Sequence, residues 1–548
     1  MAGGTFGGGS GIEIDPYLVE DAADLDAVRN NLSAHYKQTA DIDLGAFGYF
    51  EPIMKWEITD LGGGSYSTKS FPFTGIYNGN GFKILNGNLL YTPYQTSSYQ
   101  KMGLFGEVGS GCELKNIILQ GFLISPPYLQ YSREAGFLVG SIYNESSTSI
   151  LIENCHARGE ILNFDSEVGG LIGVVFVECA VENPSLVIKN CTAELKSDIK
   201  AHNNGGLIGS LYSGGYARPI IENCSAKSYS SGTISKSRGA VGGFIGILYG
   251  TAHIKNCYGN AEISGSGSLG GFIGHIYPIT FDGIFTDILV IENCFSNCHI
   301  TGSPYIGLGN RYNYPDGCAG FIGSVWCYNY EDNILTEGMQ VKNCFAQGSI
   351  YIENDSNWGG AITSWPPGNA TFLGYYDAWN AYASIDNCYA NCEFNSELFQ
   401  KSNDIIANFV SFWDVNGDYP AEYQIFVANS YYNSDLVNYP NNNYGTPKTT
   451  AEMKDIATYL PEWDIAESSI VLQNQYGWNE NYIWGIGAEI NGGFPYLCII
   501  TGLKSNIHTK INGVWLPIIA VWAKIQGEWK EVDMEDWIEQ NPEPTPPP

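Results

Sequence analysis

The residues in this sequence best suited to special chemistry are cysteines, and they recur at regular intervals. The dipeptide Asn-Cys occurs seven times, each time with Ile or Val two residues before the asparagine. Its cysteines are Cys155, Cys191, Cys224, Cys257, Cys294, Cys344 and Cys388. A cysteine that returns at one place in every unit is typical of a structural ladder, in which buried thiols behave as small apolar groups. We therefore expect these seven thiols to be reduced and to face the core.

Two cysteine pairs have a separation compatible with metal binding: Cys294 with Cys298, and Cys388 with Cys392. One member of each pair belongs to the recurring Asn-Cys, and no second pair with histidines follows, so we expect no metal site. Disulfides between ladder positions are also disfavoured, because in-register cysteines have parallel Cβ vectors that suit the disulfide dihedral poorly.

Carboxylates are the second candidate for chemistry. Paired acids can cleave glycosides, and five acidic residues lie in insertions where a pair could meet. They are Asp282, Asp287, Asp316, Glu331 and Asp332. The sequence does not establish that they meet, and motifs for a serine nucleophile, a zinc protease or a phosphate loop are absent. We predict no catalytic residues, and polysaccharide cleavage remains a third alternative.

The segment 414–418 begins like a calcium-binding loop, with oxygen ligands at alternate positions. Tyr419 stands where such a loop needs glycine, and Ile425 stands where it needs a bidentate glutamate. A type I turn is therefore the favoured interpretation.

Aromatic residues, among them Trp326, Tyr375 and Tyr376, concentrate in the insertions of the longer units, which end at Cys344 and Cys388. Exposed rings can stack on sugars and anchor protein interfaces. Trp365, Trp379, Trp413 and Tyr419 are accordingly predicted to contact a ligand through loops between Ile300 and Tyr419. The alternative is that these loops fold over their own coils.

The elements that position these residues follow from the repeat. Successive Asn-Cys cysteines are 36, 33, 33, 37, 50 and 44 residues apart, a period typical of a solenoid or a propeller. The runs between them are short, apolar and closed by glycine, which indicates strands, and one Asn-Cys per unit favours a parallel β-solenoid. Asparagine suits a left-handed corner, with its amide bonding to the coils above and below. Nine or ten coils predict a stack about 45 Å tall.

The repeat phrases resemble a known family. Gly-Gly-Phe-Ile-Gly at 242–246 followed by Ile-Lys-Asn-Cys-Tyr at 254–258 is similar to the GLUG-motif repeat, which occurs on bacterial surface proteins, in some IgA-specific peptidases and in phage appendage proteins. The resemblance covers roughly residues 10 to 500, including entry segments at 11–19, 39–44 and 73–81 and exit segments at 449–454 and 491–497. It implies a right-handed β-helix and carries little information on activity.

The predicted fold class is all-β: a right-handed parallel β-helix with an N-terminal helical cap at Glu20–Leu32 and a small C-terminal β module. The predicted regions are a flexible glycine-rich arm (1–10), an N-terminal capping and first-coil region (11–100), GLUG-type repeats (101–440), a C-terminal capping segment (441–500), the β module (501–540) and a proline-rich tail (541–548).

Composition limits the function. The net charge of −31 and pI near 4.4 argue against nucleic acid as a partner, and no apolar stretch is long enough to span a membrane. We expect no cofactor. The favoured function is a non-enzymatic structural and host-recognition protein of a phage particle, located in the virion as a tail fibre, spike or capsid appendage. It would contact other virion proteins through its termini and a host-surface glycan or protein, with homo-oligomer formation left open. A bacterial cell-surface adhesin is the alternative.

Overall fold

A computed structural model describes most of the repeat region and both flanking segments. The described residues are 6–62, 65–89, 100–125, 133–162, 166–183, 185–198, 202–231, 239–278, 288–303, 317–328, 336–352, 368–379, 381–396, 408–412, 425–437, 444–467, 482–487 and 491–498, with the backbone of 508–511, 514–517, 521–525 and 528–532.

The chain passes through four parallel sheets in a fixed order, which we number 1 to 4. Each coil adds its strand directly onto that of the coil before, so that Ile152 pairs with Ile188 and Ile188 pairs with Ile221 in sheet 3. Side chains alternate between the two faces of a strand, so each sheet turns one column of every two toward the interior. The predicted fold class, an all-β right-handed parallel β-helix, is confirmed.

The strand bounds are as follows. Sheet 1 contains Gln100–Met102, Arg133–Gly136, Glu167–Gly169, Asn203–Gly205, Ala240–Gly242, Ser268–Gly270, Gly317–Ala319 and Gly368–Ala370. Sheet 2 contains Phe105–Val108, Val139–Asn144, Ile172–Asn183, Ile208–Ala217, Ile245–Tyr249, Ile273–Tyr277, Ile322–Tyr328, Leu373–Trp379 and Val410–Phe412. Sheet 3 contains Tyr17–Val19, His35–Gln38, Ile76–Asn78, Glu113–Lys115, Ile150–Glu153, Leu186–Lys189, Ile220–Glu222, His253–Lys255, Leu289–Glu292, Thr336–Lys342, Ala381–Asp386 and Ile425–Ala428. Sheet 4 contains Ile42–Asp43, Lys83–Leu85, Asn88–Leu89, Ile118–Ile124, His156–Ile161, Thr192–Ser197, Ser225–Ser231, Tyr258–Ser266, Phe295–Ser303, Phe345–Ile352, Tyr389–Ser396, Tyr431–Asn433 and Thr446–Lys448.

Shorter elements flank the coils. An antiparallel hairpin joins Lys55–Gly62 to Ser65–Phe71, and a three-stranded sheet contains Ile465–Glu467, Trp484–Ile486 and Tyr496–Leu497. Within the described residues, the helices are α1 (Ala22–Ala27) and α2 (Thr450–Met453), with 3-10 turns at Val28–Asn30, Gly45–Phe47, Ile456–Thr458 and Asn491–Gly493. In a separate unit, Ile500–Pro548, two antiparallel hairpins pair His508–Ile511 with Val514–Pro517 and Val521–Ile525 with Glu528–Val532.

The N-terminal helix is shorter than the predicted span of 20–32. Asp21 caps it by accepting from the backbone N–H groups of Ala23 and Asp24. The chain leaves the helical region at Asn31, where φ is −138°, and the carbonyl of that residue accepts a hydrogen bond of 2.7 Å from the Tyr36 hydroxyl. This tertiary bond replaces the last helical turn.

The Asn-Cys corner has the predicted geometry. Asn256 has φ of +53°, and the other six Asn-Cys asparagines have φ between +53° and +55°. Asn256 donates its amide hydrogen to the side-chain oxygen of Asn223 at 3.1 Å and accepts from Asn293 at 3.1 Å. The left-handed backbone and the amide ladder together explain why asparagine recurs at this corner.

The interior of the stack is filled by columns of like side chains. Rings of Phe244, Phe272, Phe321, Phe372 and Phe409 stack with centroids 4.8 or 4.9 Å apart. Sheet 3 has twelve strands, and eleven spacings of about 4.8 Å make it about 53 Å tall. The expected height of about 45 Å was too low because three strands from the N-terminal region also join this sheet.

Every cysteine is unpaired and buried, and the seven Asn-Cys thiols belong to the apolar core. The thiol of Cys257 donates to the carbonyl of Lys255 at 3.1 Å and accepts from the backbone N–H of Cys224 at 3.5 Å. Burial raises the pKa of Cys257 well above its ordinary value, so the thiol stays protonated.

Replacing Cys257 with alanine should lower the free energy of unfolding by about 1–2 kcal/mol, because a small cavity replaces the sulfur. Chemical denaturation of variant and wild type measures this difference. Thiol titration under denaturing, non-reducing conditions should find reduced cysteines throughout, and mostly oxidised ones would contradict the ladder.

The segment after the last coil packs on the outer side of sheet 4. Trp463 and Trp484 lie against each other with centroids 4.7 Å apart, and the indole of Trp463 donates to the carbonyl of Asn429 at 2.8 Å. The hydroxyl of Tyr389 donates to the carbonyl of Pro495 at 2.7 Å. These contacts bury Tyr389 completely and cover the ring stack that it forms with Phe345.

Candidate functional site

The polar and aromatic side chains of the coils gather at the outer corner between sheets 1 and 2. The chain turns this corner through the Gly-Gly phrase, and the residues on either side alternate between core and exterior. Val168 and Ile142 belong to the apolar core, whereas their neighbours Glu167 and Ser141 lie on the opposite face. Outward side chains seven residues apart therefore converge across the corner, as with Asn203 and Ser210 at 3.2 Å.

We name one set of converging side chains the polar seam. It consists of Lys101, Glu107, Glu134, Ser141, Glu167, Asn203 and Ser210. At its lower end the Lys101 ammonium lies 2.7 Å from Glu107 Oε1. At its upper end Glu167 accepts from Ser210 Oγ at 3.1 Å and from Asn203 Nδ2 at 3.2 Å. The seam is thus a row of three carboxylates on adjacent coils with one ammonium group.

The electrostatics of the polar seam favour a protonated acid. Burial raises the pKa of Glu134 to about 7, with Glu167 and Glu107 contributing in the same direction and Lys101 opposing them. Burial also raises the pKa of Glu167. The Oε2 atoms of Glu107 and Glu134 are buried and make no hydrogen bond to another atom of the described structure. Near neutral pH Glu134 is therefore partly protonated, and its Oε2 atom is shielded from solvent.

Beside the polar seam, aromatic side chains occupy equivalent positions on successive strands of sheet 2, and we call them the aromatic ladder. We define it as Tyr143, Phe176, Tyr212, Tyr249 and Tyr277. The ring pairs Tyr143–Phe176, Tyr212–Tyr249 and Tyr249–Tyr277 are nearly parallel, with centroids 4.7–5.2 Å apart. Trp326 follows on the next strand with its ring edge-on to Tyr277 at 4.8 Å.

The first ring of the aromatic ladder is the most accessible. Tyr143 is 46% exposed, and within the described residues its ring stacks only on Phe176, which leaves its other face free of aromatic contact. Its hydroxyl donates to Glu145, and this hydrogen bond raises the pKa of Tyr143 to about 12. An exposed ring face with an adjacent carboxylate is suited to stacking on a sugar and bonding its hydroxyls.

The predicted ligand residues do not form this site. Trp365, Trp413 and Tyr419 lie outside the described residues. Trp379 is the last residue of the sheet 2 strand Leu373–Trp379 and pairs with Tyr328, so its backbone belongs to the solenoid and not to a loop.

Trp326, Tyr375 and Tyr376, which were expected in insertions, are buried in sheet 2. That placement was wrong, because the sheet 2 strands resume at Ile322 in the first of these units and at Leu373 in the second. The acids Asp282, Asp287, Asp316, Glu331 and Asp332 and the calcium-like segment 414–418 are also outside the described residues.

The aromatic ladder does have a sequence signal. The third residue after the last glycine of each Gly-Gly phrase is aromatic in six copies, Tyr143, Phe176, Tyr212, Tyr249, Tyr277 and Trp326. Glu134 and Glu167 have no comparable signal, because only the folded corner brings them into a buried row. Among the described residues, no group of three His, Cys, Asp or Glu side chains is placed to hold a metal ion, and no helix has the length and apolarity needed to cross a membrane.

Comparison with known proteins finds sequence similarity over short stretches. No family model matches the chain. Halomucin of Haloquadratum walsbyi is 30% identical over 178 residues, which are 30% of this chain and 2% of halomucin. A protein of Evansella cellulosilytica, provisionally named a Gly-rich membrane protein, is 35% identical over 124 residues, 22% of this chain and 13% of that protein. The chain therefore spans a small part of the curated relatives it matches.

One solved structure is similar to the solenoid. A Bacteroides ovatus protein provisionally named an immunoglobulin A1 protease aligns with 69% of this chain and 87% of its own length, at 17% identity and a TM-score of 0.35. Structural similarity at that level does not support an inference about activity. The fold assignment rests on the four parallel sheets of this chain.

Proposed function

We propose that this protein is a non-enzymatic structural and recognition protein that binds a cell-surface glycan, with GLUG-type repeats as its rigid body. The observation that carries the proposal is the aromatic ladder, which begins at a half-exposed ring on the outer face of a rigid stack. Rings held by stacking lose little conformational entropy when a sugar binds, so they serve well as a preformed platform.

The coil architecture supports a scaffold role. Core, corner and seam side chains are used mainly to bind one coil to the next, as in the bond from Asn256 to Asn223. Insertions leave the repeat between sheets 4 and 1, for example between Ile352 and Gly368, and between sheets 2 and 3. Such insertions supply non-repeating shape, and we retain Trp365, Trp413 and Tyr419 within them as secondary ligand contacts.

The favoured setting is a phage particle, where the protein would serve as a tail fibre, spike or capsid appendage joined to other virion proteins by its termini. A bacterial cell-surface adhesin is the second candidate, and the relative named as a Gly-rich membrane protein favours it. Mass spectrometry of purified virions separates the two settings, because only the first places the chain in the particle.

Replacing Tyr143 with alanine is expected to weaken glycan binding at least tenfold, because the accessible ring face is lost. The melting temperature should change little, since this side chain is half exposed. A glycan array with the full chain identifies the ligand, and titration of that ligand measures the loss.

Tyr216, which is 48% exposed and outside the aromatic ladder, provides the matched control. Its alanine variant should bind as wild type does. Undiminished binding by the Tyr143 variant would move recognition to the insertions, where the double substitution of Trp365 and Trp413 is the next test. Release of shortened glycan by the wild-type protein would establish the polysaccharide-cleaving alternative instead.

A further inference from the structure

A second candidate site lies on the outer face of sheet 4 near its first strands, on residues that precede the aromatic ladder in the chain. It is a pocket of about 490 Å³, within the usual range for small-molecule sites. Its side-chain walls are Tyr49, Asn86, Asn88 and Leu123, and its other lining residues are glycines.

The pocket exists because glycines replace side chains on successive coils. Gly48 and Gly121 have φ of +82° and +69°, a region that favours glycine. Gly87 has no room for a side chain, since a Cβ atom there would lie 2.6 Å from the ring of Phe122. The notch is therefore a fixed feature of the backbone and needs no rearrangement to accept a ligand.

The walls project from two paired strands and from a segment that an isolated bridge joins to them. Leu123 pairs with Asn88, and Phe50 bridges Leu89, which places Tyr49 opposite Asn88 on the next strand. Phe50 and Leu89 are fully buried, so by alternation Tyr49, Asn88 and Leu123 face outward. The Tyr49 side chain is 62% exposed, so its ring forms an open wall of the pocket.

The polar groups of the pocket are partly preorganised and partly free. Asn86 Nδ2 donates to Asp43 Oδ1 at 3.0 Å, and the backbone N–H of Gly45 donates to the same oxygen at 2.8 Å. This orients the Asn86 amide so that its Oδ1 atom lies beside Gly121, where a Cβ atom would meet it at 3.0 Å. Within the described residues, the Tyr49 hydroxyl and the Asn88 amide make no hydrogen bond.

We propose that this pocket binds one neutral sugar ring. Tyr49 would stack on the apolar face of the ring, Asn86 Oδ1 would accept from one hydroxyl, and the Asn88 amide would bond to another. No charged side chain lines the pocket, and the adjacent Asp43 carboxylate is already hydrogen-bonded to Asn86 and Gly45 and would repel an anion, so a neutral ligand fits best. The inference rests on the ligand class of the proposed function but places a second site on different residues.

Saturation-transfer NMR on the full chain, with the methyl glycosides of glucose, galactose and N-acetylglucosamine as probes, tests the proposal. Wild type is expected to transfer saturation to the ring protons of at least one probe. The Tyr49→Ala and Asn88→Ala variants should bind that probe at least tenfold more weakly, while Tyr216→Ala binds as wild type does. Melting temperatures should be equal, because Tyr49 is largely exposed.

The outcomes separate this site from the aromatic ladder. Loss of the monosaccharide signal in Tyr49→Ala but not in Tyr143→Ala assigns it to the pocket. An unchanged signal in Tyr49→Ala overturns the proposal, and so does the absence of any signal from wild type. In either case glycan binding through Tyr143 remains measurable on the array, so the two hypotheses fail independently.

Discussion

Replacing Gly243 with alanine should destabilise the solenoid by on the order of 4 kcal/mol or more, which is at the upper end for a single substitution. A Cβ atom at this position would lie 2.1 Å from the carbonyl oxygen of Gly271 and 2.7 Å from the Cβ of Ala261. The first neighbour is backbone of the next coil, held by the hydrogen bond from the N–H of Gly243 to the carbonyl of Gly270 at 3.1 Å. The added carbon can be accommodated only by separating two coils.

Urea denaturation of the full chain measures this effect, and Gly214→Ala is the matched control. A Cβ atom at Gly214 has its nearest neighbour at 3.4 Å, the Cγ of Glu178, which is ordinary van der Waals contact. Its free energy of unfolding should change by about 0.5 kcal/mol or less. An unfolding midpoint of Gly243→Ala equal to that of the control would show that the coils at this corner can separate at little cost.

The corners could be predicted from the sequence because their geometry allows few residue types. At the Gly-Gly corner, sheets 1 and 2 approach too closely for a side chain, so glycine must recur at that position. At the Asn-Cys corner, Asn256 combines a left-handed backbone with an amide that bonds to both neighbouring coils. Because each requirement acts in every coil, the same residue types recur, and the fold class could be predicted from that repetition.

The outer surface could be predicted less well, because it depends on which residues the corners bring together. Tyr375 and Tyr376 were assigned to an insertion, although they directly follow Gly374, as sheet 2 residues follow the last glycine of the other Gly-Gly phrases. In the sequence, Glu134 and Glu167 cannot be told from ordinary surface acids. They are shielded from solvent only because outward-facing side chains of sheets 1 and 2 converge at the corner. The notch beside Tyr49 likewise depends on the alignment of glycines from different coils.

The polar seam should make the solenoid more stable at pH 5 than at pH 8. The pKa of Glu134 is about 7 in the folded protein against an ordinary value of 4.5. Between these values the folded state keeps a proton that the unfolded state has released, so stability falls as pH rises through this window. Each unit of pKa difference corresponds to about 1.4 kcal/mol, so the loss between pH 5 and pH 8 should be about 3 kcal/mol. The raised pKa of Glu167 acts in the same direction.

The variant Glu134→Gln isolates this contribution, because an amide has the shape of the protonated acid and does not titrate. It should exceed wild type in free energy of unfolding by about 1 kcal/mol or less at pH 5 and by about 3 kcal/mol at pH 8. Glu160→Gln is the control, since Glu160 is 43% exposed and pairs with Lys196 at the surface. Its pH profile should follow that of wild type. A Glu134→Gln profile parallel to wild type between pH 5 and pH 8 would contradict this. It would mean that Glu134 is already ionised in the folded protein at pH 5.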